Sequence, residues 1–282
     1  VKNSRVAAIQ MVSGNNLNLN LAAVKRLVTS AAQAGAGLVV LPETFAMFSA
    51  KGQYSLGVQE VSNAAVVRPF IAALAKDLGI WIVAGSIPMA DGKANDDRDN
   101  NKVYSASLVF NTQGQEVARY NKMHLFDVDV ADQQGSYRES DTFLFGDQVV
   151  VVDTPFGRLG LSVCYDLRFP EFYRAMFAQS VDIIAVPAAF TLLTGQAHWL
   201  TLLRARAIEN QCYVIGANQG GEHSAKRSTS GGSVIIDGWG TVLADMAMGE
   251  GYVAADINLE ALSEWRRAMP IHQQQRFNVV KN

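Results

Sequence analysis

With 282 residues, 49% hydrophobic and 18% charged side chains and a formal net charge of −2, the chain has the balance of a water-soluble protein with a sizeable core. That near-neutral charge gives no electrostatic reason to expect nucleic acid or an anionic membrane as partner. No apolar run approaches the roughly 18 residues of a membrane span, the first residues lead into a strand without a signal-like apolar region, and two distant cysteines predict neither a disulfide framework nor a zinc knuckle, which fits a reduced cytoplasmic setting.

Residues 6–11 read as a buried strand, followed by a helix with Leu21, Val24, Leu27, Val28 and Ala31 on one face. Gly35 and Gly37 end that helix, and residues 38–41 form a second strand stopped by Pro42-Glu43. A helix from about Val61 carries Ala64, Val67, Ile71, Leu74 and Leu78 at helical spacing, stops at Gly79, and gives way to a strand over 80–84. This β-α-β-α-β order is that of a sheet covered by helices. Residues 91–101 are polar and predict an exposed hairpin tip. Residues 103–110 and 116–120 flank Asn111-Thr112-Gln113-Gly114 as a β-hairpin, which makes the sheet mixed. Residues 125–145 lack periodicity and predict a long loop, a length that tends to be functional.

A strand over 158–163 ends at Cys164, and charged residues with Pro170 announce a helix across 172–179. Then come a strand at 183–186, a helix over 197–209, a strand at 213–216, three short strands between 232 and 257, and a short helix near 259–267. No linker divides the chain. We expect one α/β domain over 1–282, two sheet layers between helices, with 270–282 as a Gln-rich tail.

Three stretches share a design, an apolar strand ending in a reactive side chain: 38–41 leads to Glu43, 117–120 to Lys122 and 161–163 to Cys164. Adjacent carboxyl ends would deliver a carboxylate, an ammonium and a thiol to one mouth, where open α/β sheets keep their ligands. Cys164, placed before a helix N-terminus, is expected to have a lowered pKa. Glu43 can then take the thiol proton and later activate water, while Lys122 and the backbone N–H of Tyr165 stabilise an oxyanion. The scheme needs no cofactor, and His124, His223 and His272 show no metal-ligand spacing. Cys212, in an apolar run, reads as structural. Arg168, four residues past Cys164, can grip a carboxylate in a bidentate fork or pair with Asp166 or Glu171. A Cys164–His198 pair is the competing mechanism, and a non-catalytic binding protein the competing class.

Leu41-Pro42-Glu43, the run from Tyr120 to Asp127, and the run from Cys164 to Glu171 resemble, in order, the three signature blocks of the nitrilase superfamily. The resemblance implies a four-layer α-β-β-α sandwich, homodimers or larger assemblies, and Glu43, Lys122 and Cys164 as triad. It also implies that Glu139 positions the lysine and the substrate. Segments 194–199 and 203–214 are similar to a branch of amidases that cleave a 2-oxoglutaramate unit, free or attached to Cys-Gly, and 223–228 favours the attached form. Thr194 would then supply a hydroxyl contact, and Lys226 and Arg227 would meet the glycine carboxylate. Gln196 and Gly232 depart from the Pro and His usual in that branch, and both are expected near the pocket.

Overall fold

Val6 and Ala8 face one way from the first strand, Ala7 and Ile9 the other, and all four are fully buried. A strand buried on both faces belongs inside a layered stack. The computed structural model, which describes residues 4–90, 102–132 and 134–277, has that form.

The first half runs β1 (Arg5–Gln10), α1 (Leu17–Gln33), β2 (Leu38–Val40), α2 (Ala50–Glu60), α3 (Val67–Leu78), β3 (Trp81–Met89), β4 (Val103–Phe110) and β5 (Glu116–Asn121). A hairpin of β6 (Asp127–Asp129) and β7 (Ser136–Arg138) follows, then a 3₁₀ turn (Glu139–Asp141) and β8 (Phe143–Leu144). Next come β9 (Val151–Thr154), β10 (Gly157–Leu161), a 3₁₀ segment (Cys164–Arg168), α4 (Pro170–Phe177) and β11 (Ile183–Ala188). A short α5 (Leu192–Thr194) passes through a π turn (Gly195–Trp199) into α6 (Leu200–Asn210) and β12 (Tyr213–Asn218). The chain ends with a hairpin of β13 (Glu222–Ser224) and β14 (Arg227–Ser228), strands β15 (Val234–Ile236), β16 (Val242–Asp245) and β17 (Gly251–Asp256), and helices α7 (Leu259–Ala268) and α8 (Ile271–Gln274).

One sheet has the order β17-β1-β2-β3-β4-β5 with β8 beside β4, and the other β16-β15-β12-β11-β10-β9. Each holds a parallel run, β1-β2-β3 or β10-β11-β12, flanked by antiparallel strands. Val6, Val40, Val83 and Val109 of the first sheet share a core with Leu161 and Ile183 of the second. Their sheet neighbours Ala7, Val39, Ile82 and Leu108 pack with Val24 and Val28 of α1 and Ile71 of α3. Phe172 and Tyr173 of α4 and Leu203 of α6 pack against the second sheet. The expected sandwich of two mixed sheets between helices is the fold observed.

Local differences have local causes. Helix α3 starts at Val67, not Val61, because the buried Glu60 carboxylate accepts the N–H groups of Val66, Val67 and Arg68 at 2.8, 2.8 and 2.9 Å, an N-cap supplied from the end of α2. Helix α2 itself escapes a periodicity reading, since its buried face consists of Gln53, Leu56, Gly57 and Glu60, of which Leu56 alone is a large apolar side chain. The segment 125–145 is not structureless; it holds β6, β7 and β8. The polar stretch 91–101 lies outside the described residues. No helix among the described residues is long and apolar enough to cross a membrane.

Candidate active site

Glu43, Lys122 and Cys164 leave from the ends of β2, β5 and β10, two strands of one sheet and one of the other. They converge because the sheets face each other, not because the three strands are neighbours. The base of β2 is tightly moulded. Gly85 on β3 has φ +22°, and a Cβ there would run into the carbonyl of Pro42. Thr44 is held at φ +54°, a costly left-handed conformation for a β-branched residue, and its N–H donates to Ser86 Oγ at 3.0 Å.

Lys122 is 1% exposed, and its ammonium donates to Glu43 Oε1 at 2.8 Å and to both carboxylate oxygens of Glu139 at 2.8 Å. Glu139 in turn accepts the N–H of Phe126 at 2.6 Å. Burial alone would lower the Lys122 pKa, but the Glu139 and Glu43 carboxylates outweigh it and hold the ammonium charged well above its ordinary range. Burial, opposed by Lys122, raises Glu139 above the usual carboxylate value.

Cys164 also sits in the left-handed region, at φ +48°, on the sharp turn out of β10. Its thiol pKa is pushed well up, first by burial and then by the Glu43 charge; Lys122 and the backbone N–H of Ala189 pull the other way without prevailing. This overturns the expected lowering. The residues after Cys164 form a 3₁₀ segment, and the α-helix begins only at Pro170, so the sulfur lacks the helix N-terminus that would favour a thiolate. A protonated thiol beside a carboxylate is a donor–base pair suited to attack with concerted proton removal.

Asp166 organises this turn, a role that no local pattern announces. Wholly buried, it accepts Val163 N–H at 2.8 Å, the Tyr120 hydroxyl at 2.7 Å, His124 N–H at 3.1 Å and His124 Nδ1 at 2.7 Å. Tyr120 and His124 lie two residues before and two after Lys122, so one carboxylate ties the lysine strand to the cysteine turn. Asp166 therefore does not pair with Arg168.

Cys164, Lys122 and Glu43 line a cavity of about 350 Å³, whose walls include Tyr165, Arg168, Thr194 and Arg227. Arg168 lies over the rings of Phe190 and Tyr165, and its Nη1 approaches His198 Nδ1 at 3.2 Å. His198 thus meets the arginine, not the sulfur. Arg227 lies 4.6 Å from the Tyr137 ring centre and donates to Ala189 O at 3.3 Å, while its other terminal nitrogen, Nη1, is buried with no protein partner among the described residues. A buried cationic donor left open in a cavity wall suits an anionic ligand group. Lys226 does not share this position. It is exposed on the turn between β13 and β14 and is not among the residues lining the cavity. Gln196 and Gly232 line a separate cavity of about 390 Å³ beside Trp199, not the one at Cys164. Cys212 is buried and its thiol pKa raised by that burial. Among the described residues, no three His, Cys, Asp or Glu side chains are grouped to hold a metal ion.

Residues 5–267 match the family profile described as Carbon-nitrogen hydrolase. A protein of Yersinia enterocolitica named deaminated glutathione amidase is 41% identical over 277 residues, covering 98% of this chain and 94% of its own. Among solved structures, Saccharomyces cerevisiae Nit3, described as a member of branch 10 of the nitrilase superfamily, has a TM-score of 0.84 at 29% identity and covers 97% of this chain and 96% of its own. A glutamate-to-glutamine mutant of the amidase from Nesterenkonia sp. AN1, carrying the product of Michael addition of acrylamide at its active site cysteine, has a TM-score of 0.76 at 25% identity, with 96% and 99% of the two chains covered. Sequence, fold and a matched profile over most of its length agree, and the chain belongs to the carbon-nitrogen hydrolase family of the nitrilase superfamily.

Proposed function

We propose that this chain is a cysteine-dependent amidase of deaminated glutathione, releasing 2-oxoglutarate and Cys-Gly. The observation that carries the reading is one cavity that holds Glu43, Lys122 and Cys164 and, besides Arg138, whose guanidinium is engaged by Asp129 and the carbonyls of Val128 and Tyr137, presents two guanidinium groups, Arg168 and Arg227. A substrate with a carboxylate at each end meets both. The names of the similar amidases support the same substrate.

In this reading Glu43 takes the Cys164 proton as the sulfur attacks the amide carbon. The oxyanion is stabilised by Lys122 and the backbone N–H of Tyr165, and loss of one such donor typically costs about 10²–10³ in rate. Glu43 returns the proton to the departing amine of Cys-Gly, leaving a thioester. Water, deprotonated by Glu43, then attacks that thioester, frees 2-oxoglutarate and restores the thiol. Glu139 keeps Lys122 in place. Arg168 and Thr194 hold the 2-oxo acid end, and Arg227 the glycine carboxylate. His198, occupied with Arg168, is no base for Cys164.

Purified protein assayed on both amides tests this. We expect kcat/KM for deaminated glutathione at least tenfold above that for 2-oxoglutaramate, with Arg227→Met raising KM for the longer substrate alone. A preference for the free amide would make the chain an ω-amidase, and failure to turn over any amide or nitrile would favour a non-catalytic binding role.

We further propose a single domain over 1–282 with 270–282 as tail, a reduced cytoplasmic setting suited to two unpaired cysteines, and a homo-oligomer. Exposed Ile208 on α6 meets Gly240, next to Trp239, itself 61% exposed, and a second copy would cover this apolar patch. Sedimentation at the mass of one chain would exclude the oligomer.

A further inference from the structure

We propose that Gln219, at the end of β12, is the positioning residue that sets the reaction's base from the opposite sheet. The inference rests on the reading of Glu43 as that base. Gln219 is wholly buried, and its amide is fully engaged. Its Oε1 accepts Ser13 N–H at 3.1 Å, and its Nε2 donates to Ser13 Oγ at 2.9 Å and to the backbone carbonyl of Glu43 at 3.0 Å. Two donations from one nitrogen to acceptor oxygens fix which end of the amide faces Glu43.

The bond to Glu43 is placed where it has leverage. The Glu43 carbonyl also accepts the Thr44 hydroxyl at 2.7 Å, and the next residue is the left-handed Thr44. Such a strained turn holds its shape only when neighbours over-determine it. Ser86 does so from within the same sheet, and Gln219 does so from the other one.

The backbone of Gln219 serves the sulfur side. Its N–H donates to the carbonyl of Ala188 at 3.0 Å, and the following residue, Ala189, directs its own N–H toward Cys164. Gly220 N–H donates to Met11 O at 2.8 Å, and Met11 and Gln219 form a parallel bridge between the sheets. One residue thus joins the carbonyl of the base, the end of β1 and the strand whose backbone addresses the nucleophile. Arg168, Thr194 and Arg227, which would bind substrate, take no part in these bonds.

Gln219→Met keeps the volume and removes the donors. Misplacement of a reacting group by about 1 Å can cost about 10²-fold in rate, so we expect kcat to fall roughly 10- to 100-fold while KM stays within threefold. The pH midpoint of Cys164 alkylation by iodoacetamide should move in the same direction as in Glu43→Gln. Ser13→Ala weakens the same inter-sheet latch but leaves the Gln219–Glu43 bond, and should keep kcat within threefold. Should Gln219→Met not fold, Gln219→Asn, which stays neutral but is one methylene too short to reach both Ser13 and the Glu43 carbonyl, carries the same expectation.

A folded Gln219 variant with kcat within twofold of the parent would overturn the inference. So would a Ser13→Ala loss equal to that of Gln219→Met, which marks the latch as structural only. If instead Glu43→Gln keeps its turnover, the reading of the base is what fails.

Discussion

A single carboxylate acts on Cys164 in two opposed ways. The charge of Glu43 is the second cause, after burial, that raises the thiol pKa, yet Glu43 is also the proposed acceptor of the thiol proton. Glu43→Gln therefore separates the two effects. Loss of a positioned base costs roughly 10²–10⁴ in rate, so turnover should fall by at least about 10²-fold. Removing the negative charge leaves Lys122 and the Ala189 N–H to act on the sulfur less opposed. The sign follows: the thiolate forms more readily, and the pH midpoint of Cys164 alkylation by iodoacetamide shifts downward. Alkylation profiles of parent and variant without substrate measure it. A midpoint that stays or rises would mean that the Glu43 charge does not govern the sulfur.

Among elements, what the sequence reveals follows the distance over which a signal acts. Strand ends at Glu43 and Cys164 are legible because burial makes short apolar runs before them, whereas β5, leading to Lys122, is a half-exposed edge strand in which Tyr120 alone is buried, so that lysine is legible through the run from Tyr120 to Asp127. The face of α1 is legible for the same local reason, since Leu21, Val24, Leu27, Val28 and Ala31 are all buried as spaced. Asp166 and Gln219 are not legible. Asp166 bonds to residues 42 and 46 positions away and Gln219 to residues 176 and 206 positions away, and neither separation leaves a trace in local pattern. Glu139 is readable only through family resemblance, because it stands on a 3₁₀ turn with no apolar period around it. The expected lowering of the Cys164 pKa fails at this scale too: spacing announces a helix after the cysteine but not the 3₁₀ segment that delays it to Pro170.

At the scale of the whole molecule, the two sheets are joined at their carboxyl ends by polar bonds, and these bonds are where acid should act. His223, on β13, stacks on Phe48 with ring centres 3.8 Å apart. Its Nδ1 donates to Ser13 O at 2.7 Å, and its Nε2 accepts from the Thr229 hydroxyl at 2.7 Å, which is the neutral ring. Burial, and secondarily the Arg227 charge, pushes its pKa down to about 4. An unfolded chain protonates the same ring near pH 6.5. Between those values the unfolded state binds more protons than the folded one, so the His223 contribution is complete above about pH 6.5 and is lost as pH falls toward 4. A tenfold change in a proton's affinity is worth about 1.4 kcal/mol, so after a discount for partial exposure the loss by pH 4.5 should be about 2 kcal/mol. Carboxylates elsewhere also weaken the fold in acid, so the test is a difference. His223→Gln, which cannot titrate, should be less stable than the parent at pH 7.5 in urea, and the gap should narrow by about 2 kcal/mol at pH 4.5. A gap that stays constant across that range would show that His223 does not couple protonation to the joining of the sheets.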